Sequence, residues 1–299
     1  MLETLAIDQL IKELKRLFEE FPDVRTGNNS QYEISDAGLG AFSVFFTQCA
    51  SFLEYQEELQ RLKGRNNAEN LFGMRNIPRA SHIRSLLDPV SPKYLNPMYR
   101  LVFERLETAG VLGTFRSHAR SYLVAMNGTE YFSSQKIRCP NCSHRELSNG
   151  QTNYYHSVIT PVIVQADNEH VISLEPEFIV PQNGHEKQDC EIEAGKRWLR
   201  MHGEYYAKRN ITILGDDLYS RQPFCEAVTD AQMHFILSAK KIRTRIYTKV
   251  WHFWMDRTSW ADIKSGAGTA HTGKSTPIAT PIIYPCAATR TPCRSIGLN

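Results

Sequence analysis

The sequence predicts an α/β protein in three successive parts, and changes of residue pattern along the chain support this division. Residues 1–118 place apolar side chains at helical spacing, which is typical of amphipathic helices. Residues 119–238 contain short β-branched apolar runs separated by helical segments, which indicates a sheet packed against helices. Residues 239–299 are rich in Gly, Ala, Thr, Pro and Ser without any period, and this composition favours an irregular, disordered tail.

Composition and charge indicate which partners and which cellular compartment the sequence favours. The chain has 299 residues, and 35 Lys and Arg against 32 Asp and Glu give a formal net charge of +3. This mildly basic balance permits partners that carry phosphates. No apolar run approaches a membrane span and no signal-type segment opens the chain, so we expect neither membrane association nor export. Seven cysteines at irregular spacing favour a reducing cytoplasm.

Helical spacing predicts the N-terminal elements. The predicted segments are 2–21, ended by Pro22, then 35–62, two short helices within 66–88, and 99–109, ended by Gly110. Pro78 is expected in the first turn of the second short helix. In this helical pair Arg75, Arg79 and Arg84 are candidate DNA contacts through phosphates. The alternative is an ordinary helical hairpin whose charges are solvated.

The central part alternates strands and helices. The predicted order is strand 121–126, strand 156–164, strand 171–179, helix 185–209, strand 211–215, helix 221–228 and strand 234–237. Pro161 inside the second strand favours an edge position or a bulge. This order matches a ribonuclease H-like core. The predicted fold class is therefore a ribonuclease H-like mixed sheet, preceded by an all-helical region and followed by an irregular tail.

Polar side chains stand just past two of these strands. Asn127 follows the first strand, and Asp216 and Asp217 follow the fourth. In a ribonuclease H-like sheet these strands are neighbours, so residues 127 and 216 are expected to converge. A carboxylate at a strand end is fixed by the sheet and still reaches water, which suits a hard cation such as Mg²⁺. The alternative is that Asp216 caps the helix that starts near Arg221.

Cys139 and Cys142 form a CxxC pair, which suits a tetrahedral Zn²⁺ site if two further ligands join them. The candidates for those further ligands are His144, His185 and Cys190. The alternative is a reduced, metal-free turn.

Three histidines are candidates for acid–base groups, namely His156, His185 and His202. We interpret each of them as a structural histidine. A nucleophilic role for Cys190 or Cys225 would need a neighbouring base, and the sequence assigns none.

Several motifs spread along the chain resemble one known family. They are 71–78 (LFGMRNIP), 83–89 (IRSLLDP), 123–134 (LVAMNGTEYFSS), 139–142 (CPNC), 156–161 (HSVITP), 174–179 (LEPEFI), 184–185 (GH), 188–190 (QDC) and 213–219 (ILGDDLY). The motifs lie within residues 42–237, and that region resembles a bacterial insertion-sequence transposase of the DDE type.

The resemblance implies an enzyme that cuts DNA at the ends of a mobile element and joins those ends to a target DNA. It implies three acidic residues that hold two Mg²⁺ ions about 3.5–4 Å apart. It also implies a homo-oligomeric synaptic complex and a bacterial, nucleoid-associated protein. Lys136 and Arg138 join the N-terminal arginines as expected phosphate contacts.

Two departures from the family pattern indicate lost catalysis. Asp216 matches the second acid, but Asn127 stands where the family has its first Asp. An amide keeps the shape and loses the negative charge, so two metal ions would be held poorly. The third acid, a downstream Glu, has no assignable position. Glu130 would face the opposite side of an extended strand and does not replace the Asp. We therefore expect little or no strand transfer.

Other functions fit the same residues. A non-catalytic DNA-binding remnant would grip element ends and regulate transposition by competing with an intact enzyme. A metal-dependent nuclease would cut DNA without preference for those ends. For residues 239–299, a shifted reading frame is our hypothesis beside that of a disordered basic tail.

Overall fold

The computed structural model describes residues 6–26, 32–49, 51, 54–57, 61, 68–117, 120–166, 168–181, 189–238 and 281–284. The chain forms two compact units, Met1–Thr114 and Phe115–Asn299, whereas the sequence prediction placed the boundary after residue 118. In the described ranges, no helix has the length and apolar character needed to cross a membrane.

Helices form the first unit. The helices whose bounds are described are α1 (Ile7–Glu19), α2 (Ile34–Phe46), α3 (Ala80–Leu87) and α4 (Asn96–Thr108), with 3-10 turns at Pro92–Leu95 and Val111–Phe115. Residues 54–57 and 68–70 are also helical. Helix α1 buries Ile11, Leu14 and Phe18 along one side, as an amphipathic helix does. Phe18 packs against Gly38 of α2, where a Cβ atom would lie 2.5 Å from the ring. Glycine at this position therefore allows α1 and α2 to approach closely.

The helix ends of the first unit partly follow the sequence prediction. Gly110 adopts a φ of 76° directly after α4, as a helix-ending glycine does, and Pro78 precedes the N-terminus of α3. The predicted helix over 35–62 is wrong in its length. Helix α2 ends at Phe46, and Gln48 adopts a left-handed φ of 55°. The apolar spacing beyond that point does not continue the same helix.

The larger sheet of the second unit is mixed. Its strands are β1 (Tyr122–Ala125), β5 (Val162–Val164), β6 (Ile172–Ser173), β8 (Ile211–Gly215), β9 (His234–Ser238) and β10 (Pro281–Tyr284). They lie in the order β10-β9-β8-β1-β5-β6. Strands β1, β8 and β9 are parallel, while β5, β6 and β10 each run antiparallel to their neighbour. The carboxyl ends of the three parallel strands therefore meet at one edge.

A second, antiparallel sheet was not predicted from the sequence. It consists of β2 (Gly128–Ser134), β3 (Ser143–Glu146), β4 (Thr152–Ile159) and β7 (Glu177–Ile179). Strand β4 lies at its centre and pairs with all three of the others. The exposed residues of β2 and β3 lack the apolar alternation that marks a half-buried strand.

The chain passes from one sheet to the other between β1 and β2, between β4 and β5, and between β6 and β7. Asn127 separates β1 from β2, and its carbonyl accepts the Thr160 N–H at 3.5 Å. Pro161 follows Thr160, and its carbonyl accepts the Leu174 N–H at 2.9 Å. The predicted strands 156–164 and 171–179 are therefore each two strands. Pro161 marks a change of sheet, which corrects the expected edge position or bulge.

Two helices pack against the sheets of this unit, one on β4 and β7 of the second sheet and the other on β9 of the larger sheet. Helix α5 (Glu191–Ala207) is shorter than the predicted helix 185–209, whose residues 185–188 lie outside the described ranges, and α6 (Gln222–Asp230) follows β8. Together they bury large side chains with little or no exposure. These are Ala194, Trp198, Leu199, Tyr206, Phe224 and Val228.

A polar network joins α5 to Glu175, to Glu177 of β7 and to Asp189 just before the helix. Arg197 donates to Glu177 at 2.8 Å and makes two bonds to Asp189, at 2.8 and 3.1 Å. Glu175 is fully buried and accepts the Tyr206 hydroxyl at 2.6 Å, while its carbonyl accepts the Trp198 indole N–H at 2.7 Å. The motif LEPEFI thus contains carboxylates that hold the fold together.

Of the predicted tail, residues 239–299, the structure describes only Pro281–Tyr284. These four residues form β10 and pair with β9 in antiparallel register. At this place the irregular segment expected from composition is a strand at the sheet edge. The remainder of that segment lies outside the described residues.

Candidate functional site

Strand register brings the ends of β1 and β8 to the same level. Ala125 pairs with Leu214, and the Met126 N–H donates to the Leu214 carbonyl at 2.9 Å. Asn127 is two residues past Ala125, and Asp216 is two residues past Leu214. Both residues are exposed. An amide and a carboxylate therefore stand at adjacent strand ends, open to solvent.

Asp216 stabilises the turn after β8. Its Oδ1 atom accepts the Leu218 N–H at 2.8 Å, the short-range bond by which Asp shapes a turn. The N-cap of α6 is Arg221, without a side-chain capping bond, so the alternative in which Asp216 caps that helix is wrong. Asp217 follows in the same turn, where its carbonyl accepts the Ser220 hydroxyl at 2.7 Å.

Sequence reasoning missed Glu191 at the N-terminus of α5. Its Oε1 atom accepts both the Gly128 N–H at 2.8 Å and the Tyr219 hydroxyl at 2.7 Å. Burial and the Glu191 carboxylate raise the pKa of Tyr219, so the phenol stays protonated and keeps donating. Glu191 thus joins the residue after Asn127 to the turn that carries Asp216. A Glu in a first helical turn is common, so the sequence offers only a weak signal for this role.

The donor set at these strand ends fits a hard cation in atom type and falls short in charge. Carboxylate and amide oxygens are suitable ligands for Mg²⁺, and the nearby carboxylates include Asp216 and Asp217 in the turn after β8 and Glu191. The Oε1 atom of Glu191 is already engaged by two donors. Asn127 brings an oxygen without a negative charge.

Glu130 has another partner. It lies in β2 and forms a salt bridge with Arg145 of β3, with Oε2 to Nη1 at 2.9 Å. The Glu130 carboxylate is therefore engaged in an ion pair within the second sheet.

The second sheet carries a group of three potential metal ligands, Cys139, Cys142 and His156. The two Sγ atoms lie 3.8 Å apart, and each lies 3.3 Å from His156 Nε2. Burial raises the pKa of the Cys142 thiol, with a further contribution from Cys139, and burial lowers the pKa of His156. Both shifts favour the neutral form of these two side chains near pH 7.

The structure corrects the expected partners of the CxxC pair. His156, interpreted from the sequence as a structural histidine, is the residue that joins it, while His144 and Cys190 are not in the group. His185 lies outside the described residues. His202 is buried with Nδ1 at 3.6 Å from Glu175, which agrees with a structural role.

The predicted phosphate contacts lie in both units. Arg75, Arg79 and Arg84 are exposed around the start of α3, where Arg75 forms a 2.7 Å ion pair with Glu33. In the second unit, Lys136 and Arg138 are exposed in the loop between β2 and β3. Arg138 donates to the Tyr154 hydroxyl at 2.9 Å. Each group of cations is accessible on its own unit.

Comparison with solved structures gives a distant likeness to a transposase. No protein-family model matches the chain, and no curated protein matches it. The chain is similar to a solved chain described as a cryo-EM structure of a piggyBac transposase synaptic complex with hairpin DNA. The TM-score is 0.34 and the identity 11%, over 84% of this chain and 53% of that chain. The likeness thus spans about half of that transposase chain.

Proposed function

We propose that this protein is a DNA transposase of the DDE insertion-sequence type that binds DNA but does not cleave it, because Asn127 replaces the first metal-binding acid. The observation that carries the proposal is the register of β1 and β8, which sets Asn127 level with Asp216. A two-metal site needs clustered negative charge to hold Mg²⁺ and to activate the attacking hydroxyl. Asp216 remains as a carboxylate there, and Asn127 does not.

Strand topology supports the ribonuclease H-like part of the proposal. Without the inserted second sheet and β10, the strands follow the order β6-β5-β1-β8-β9. Among the first three strands each is antiparallel to its neighbour, and the last two are parallel to β1. This is the arrangement expected for a ribonuclease H-like core with an insertion. Motif positions agree with it, since 123–134 and 213–219 hold the two strand ends.

In this proposal Asp216 binds the metal ions, and the Tyr219–Glu191–Gly128 bonds keep the two strand ends in place. When bound, Mg²⁺ would polarise the scissile phosphate and lower the pKa of the attacking hydroxyl. The neutral amide of Asn127 weakens that binding, because a hard cation depends on the charge of its ligands.

DNA binding without cleavage is favoured by cations that are independent of the strand ends. Lys136 and Arg138 lie on the second sheet, and Arg79 and Arg84 belong to the other unit. Phosphate contacts of this kind need no metal and no Asp at position 127. The chain would then occupy element ends and compete with an active transposase.

Restoring the missing charge tests the proposal. We expect the wild-type chain to shift a duplex that carries the sequence flanking its gene, and to leave that DNA unnicked with Mg²⁺ or Mn²⁺. The Asn127→Asp variant should bind Mn²⁺ at least about tenfold more tightly by calorimetry, because it adds a carboxylate opposite Asp216. Asn127→Asp combined with Asp216→Asn should lose this gain and serves as the matched control.

Three results would contradict the proposal in different ways. Nicking of element ends by the wild-type chain would show that the amide is tolerated. Cutting of the flanking duplex and of a scrambled duplex at equal rates would favour the metal-dependent nuclease. A Mn²⁺ affinity unchanged by Asn127→Asp would show that residue 127 is not part of a metal site.

A further inference from the structure

The turn between β2 and β3 brings the sulfur atoms of Cys139 and Cys142 close together. The Cys142 N–H donates to the Cys139 carbonyl at 3.1 Å, and the Cys139 N–H donates to the Cys142 Sγ atom at 3.3 Å. Backbone N–H groups that point at a sulfur stabilise its thiolate, which is the form that binds metals. The turn is therefore shaped for two sulfur ligands that face the same point.

His156 completes that point from another strand. It lies in β4, the central strand of the second sheet, with its Nε2 atom 3.3 Å from each sulfur. The imidazole stacks against Tyr131 with centroids 5.8 Å apart and an interplanar angle of 15°, and Phe132 lies beside it at 5.6 Å. These rings fix the orientation of the imidazole, as a metal ligand requires.

The distances match a tetrahedral zinc ion. With Zn–S bonds of about 2.3 Å, two sulfur ligands lie about 3.8 Å apart, and a sulfur and a nitrogen ligand lie about 3.6 Å apart. The observed S···S distance is 3.8 Å and the S···N distances are 3.3 Å. An ion placed between the three atoms would need only a few tenths of an ångström of movement.

We propose that Cys139, Cys142 and His156 bind one Zn²⁺ ion that clamps the β2–β3 turn to β4. Among the described residues the group offers three ligands, and Cys139 is exposed, so water takes the fourth position. Binding releases the two thiol protons as the Zn–S bonds form. The clamp also fixes the loop that carries Lys136 and Arg138. The metal site does not depend on the proposed function.

Zinc content of the purified full-length chain is the first test. We expect about one zinc per chain after growth with added zinc and gel filtration. Cys139→Ser and His156→Ala should each weaken zinc affinity more than about 100-fold in a chelator competition, because each removes a direct ligand. Cys49→Ser is the matched control, since it removes a thiol from the other unit and should leave zinc content unchanged.

Cobalt spectra keep the proposal testable if a variant fails to fold. Co²⁺ added to the wild-type chain should give a sulfur-to-cobalt charge-transfer band and the visible bands of a tetrahedral site. His156→Cys should retain cobalt with a stronger charge-transfer band, because it supplies a third thiolate. Absence of zinc and of the cobalt bands in reduced, folded protein would overturn the proposal. A Cys139–Cys142 disulfide in protein prepared under reducing conditions would also overturn it.

Discussion

The polar network of α5 and the ends of β1 and β8 use the same residue types in opposite ways. In the network, Arg197 satisfies the side chains of Glu177 and Asp189, which are only 5% and 2% exposed. At the strand ends, Asp216 is exposed and its Oδ1 atom accepts a backbone N–H. Carboxylates that are buried and paired maintain the fold, whereas an exposed one at a strand end is free to meet a ligand.

This difference changes how the motifs should be interpreted. The motif segments 174–179 and 188–190 carry acids just as 213–219 does, yet their acids are engaged by Arg197 and Tyr206. An acid within a motif therefore does not by itself identify a functional site. Burial and partners separate the two roles.

Removing Arg197 should have the largest effect on stability. Arg197→Ala leaves two buried carboxylates without their cation, and breaking a buried pair in this way costs about 3–5 kcal/mol of unfolding free energy. Urea denaturation followed by circular dichroism measures this change. Arg200→Ala, an exposed position on the same helix, is the control and should change stability by less than about 0.5 kcal/mol. Equal effects of the two variants would show that the network contributes nothing.

An intermediate effect is expected at Glu191, which belongs to both regions because it starts α5 and supports the strand ends. Glu191→Ala leaves the Gly128 N–H and the Tyr219 hydroxyl without their acceptor, at a cost of about 1–3 kcal/mol. Tyr219→Phe removes one of those donors and should cost less in the same denaturation assay. A Glu191→Ala variant as stable as wild type would mean that water replaces the carboxylate fully.

The smallest effect on stability is expected at Asp216. Asp216→Asn keeps an oxygen for the Leu218 N–H and removes an exposed charge, so the unfolding free energy should change by less than about 0.5 kcal/mol. Its effect should appear instead in Mn²⁺ binding by the Asn127→Asp background. Marked destabilisation by Asp216→Asn alone would show that Asp216, like Glu177, stabilises the fold.

Much of the larger sheet could be predicted because its strands are short apolar runs bounded by turn residues. That pattern closely predicts strands β1, β8 and β9, and the helices between them were also predicted. The second sheet could not be predicted in the same way, since β2 and β3 are largely exposed and carry polar side chains. The sequence shows Pro161 and Pro176. A proline alone does not indicate that the chain passes from one sheet to another.

The candidate sites were predictable to different degrees. Residues 127 and 216 each follow an apolar run directly, so the strand pattern placed them at strand ends, and the expected ribonuclease H-like strand order made those strands neighbours. His156 was missed as a partner of the CxxC pair because it lies inside a β-branched strand and reaches the sulfurs through the pairing of β4 with β2 and β3. Register between strands is a property of the folded sheet, and spacing along the chain does not contain it.

The dipeptide Asn127–Gly128 has a chemical consequence of its own. A Cβ at residue 128 would lie 2.6 Å from Glu191 Oε2, so glycine follows the asparagine here. Asparagine before glycine is prone to deamidation, since the unhindered glycine nitrogen attacks the side-chain amide and ammonia leaves. In the folded protein that nitrogen donates to Glu191, whereas in the unfolded chain it is unrestrained. Samples refolded from denaturant will therefore accumulate aspartate and isoaspartate at residue 127, gaining with age the charge that the gene does not encode.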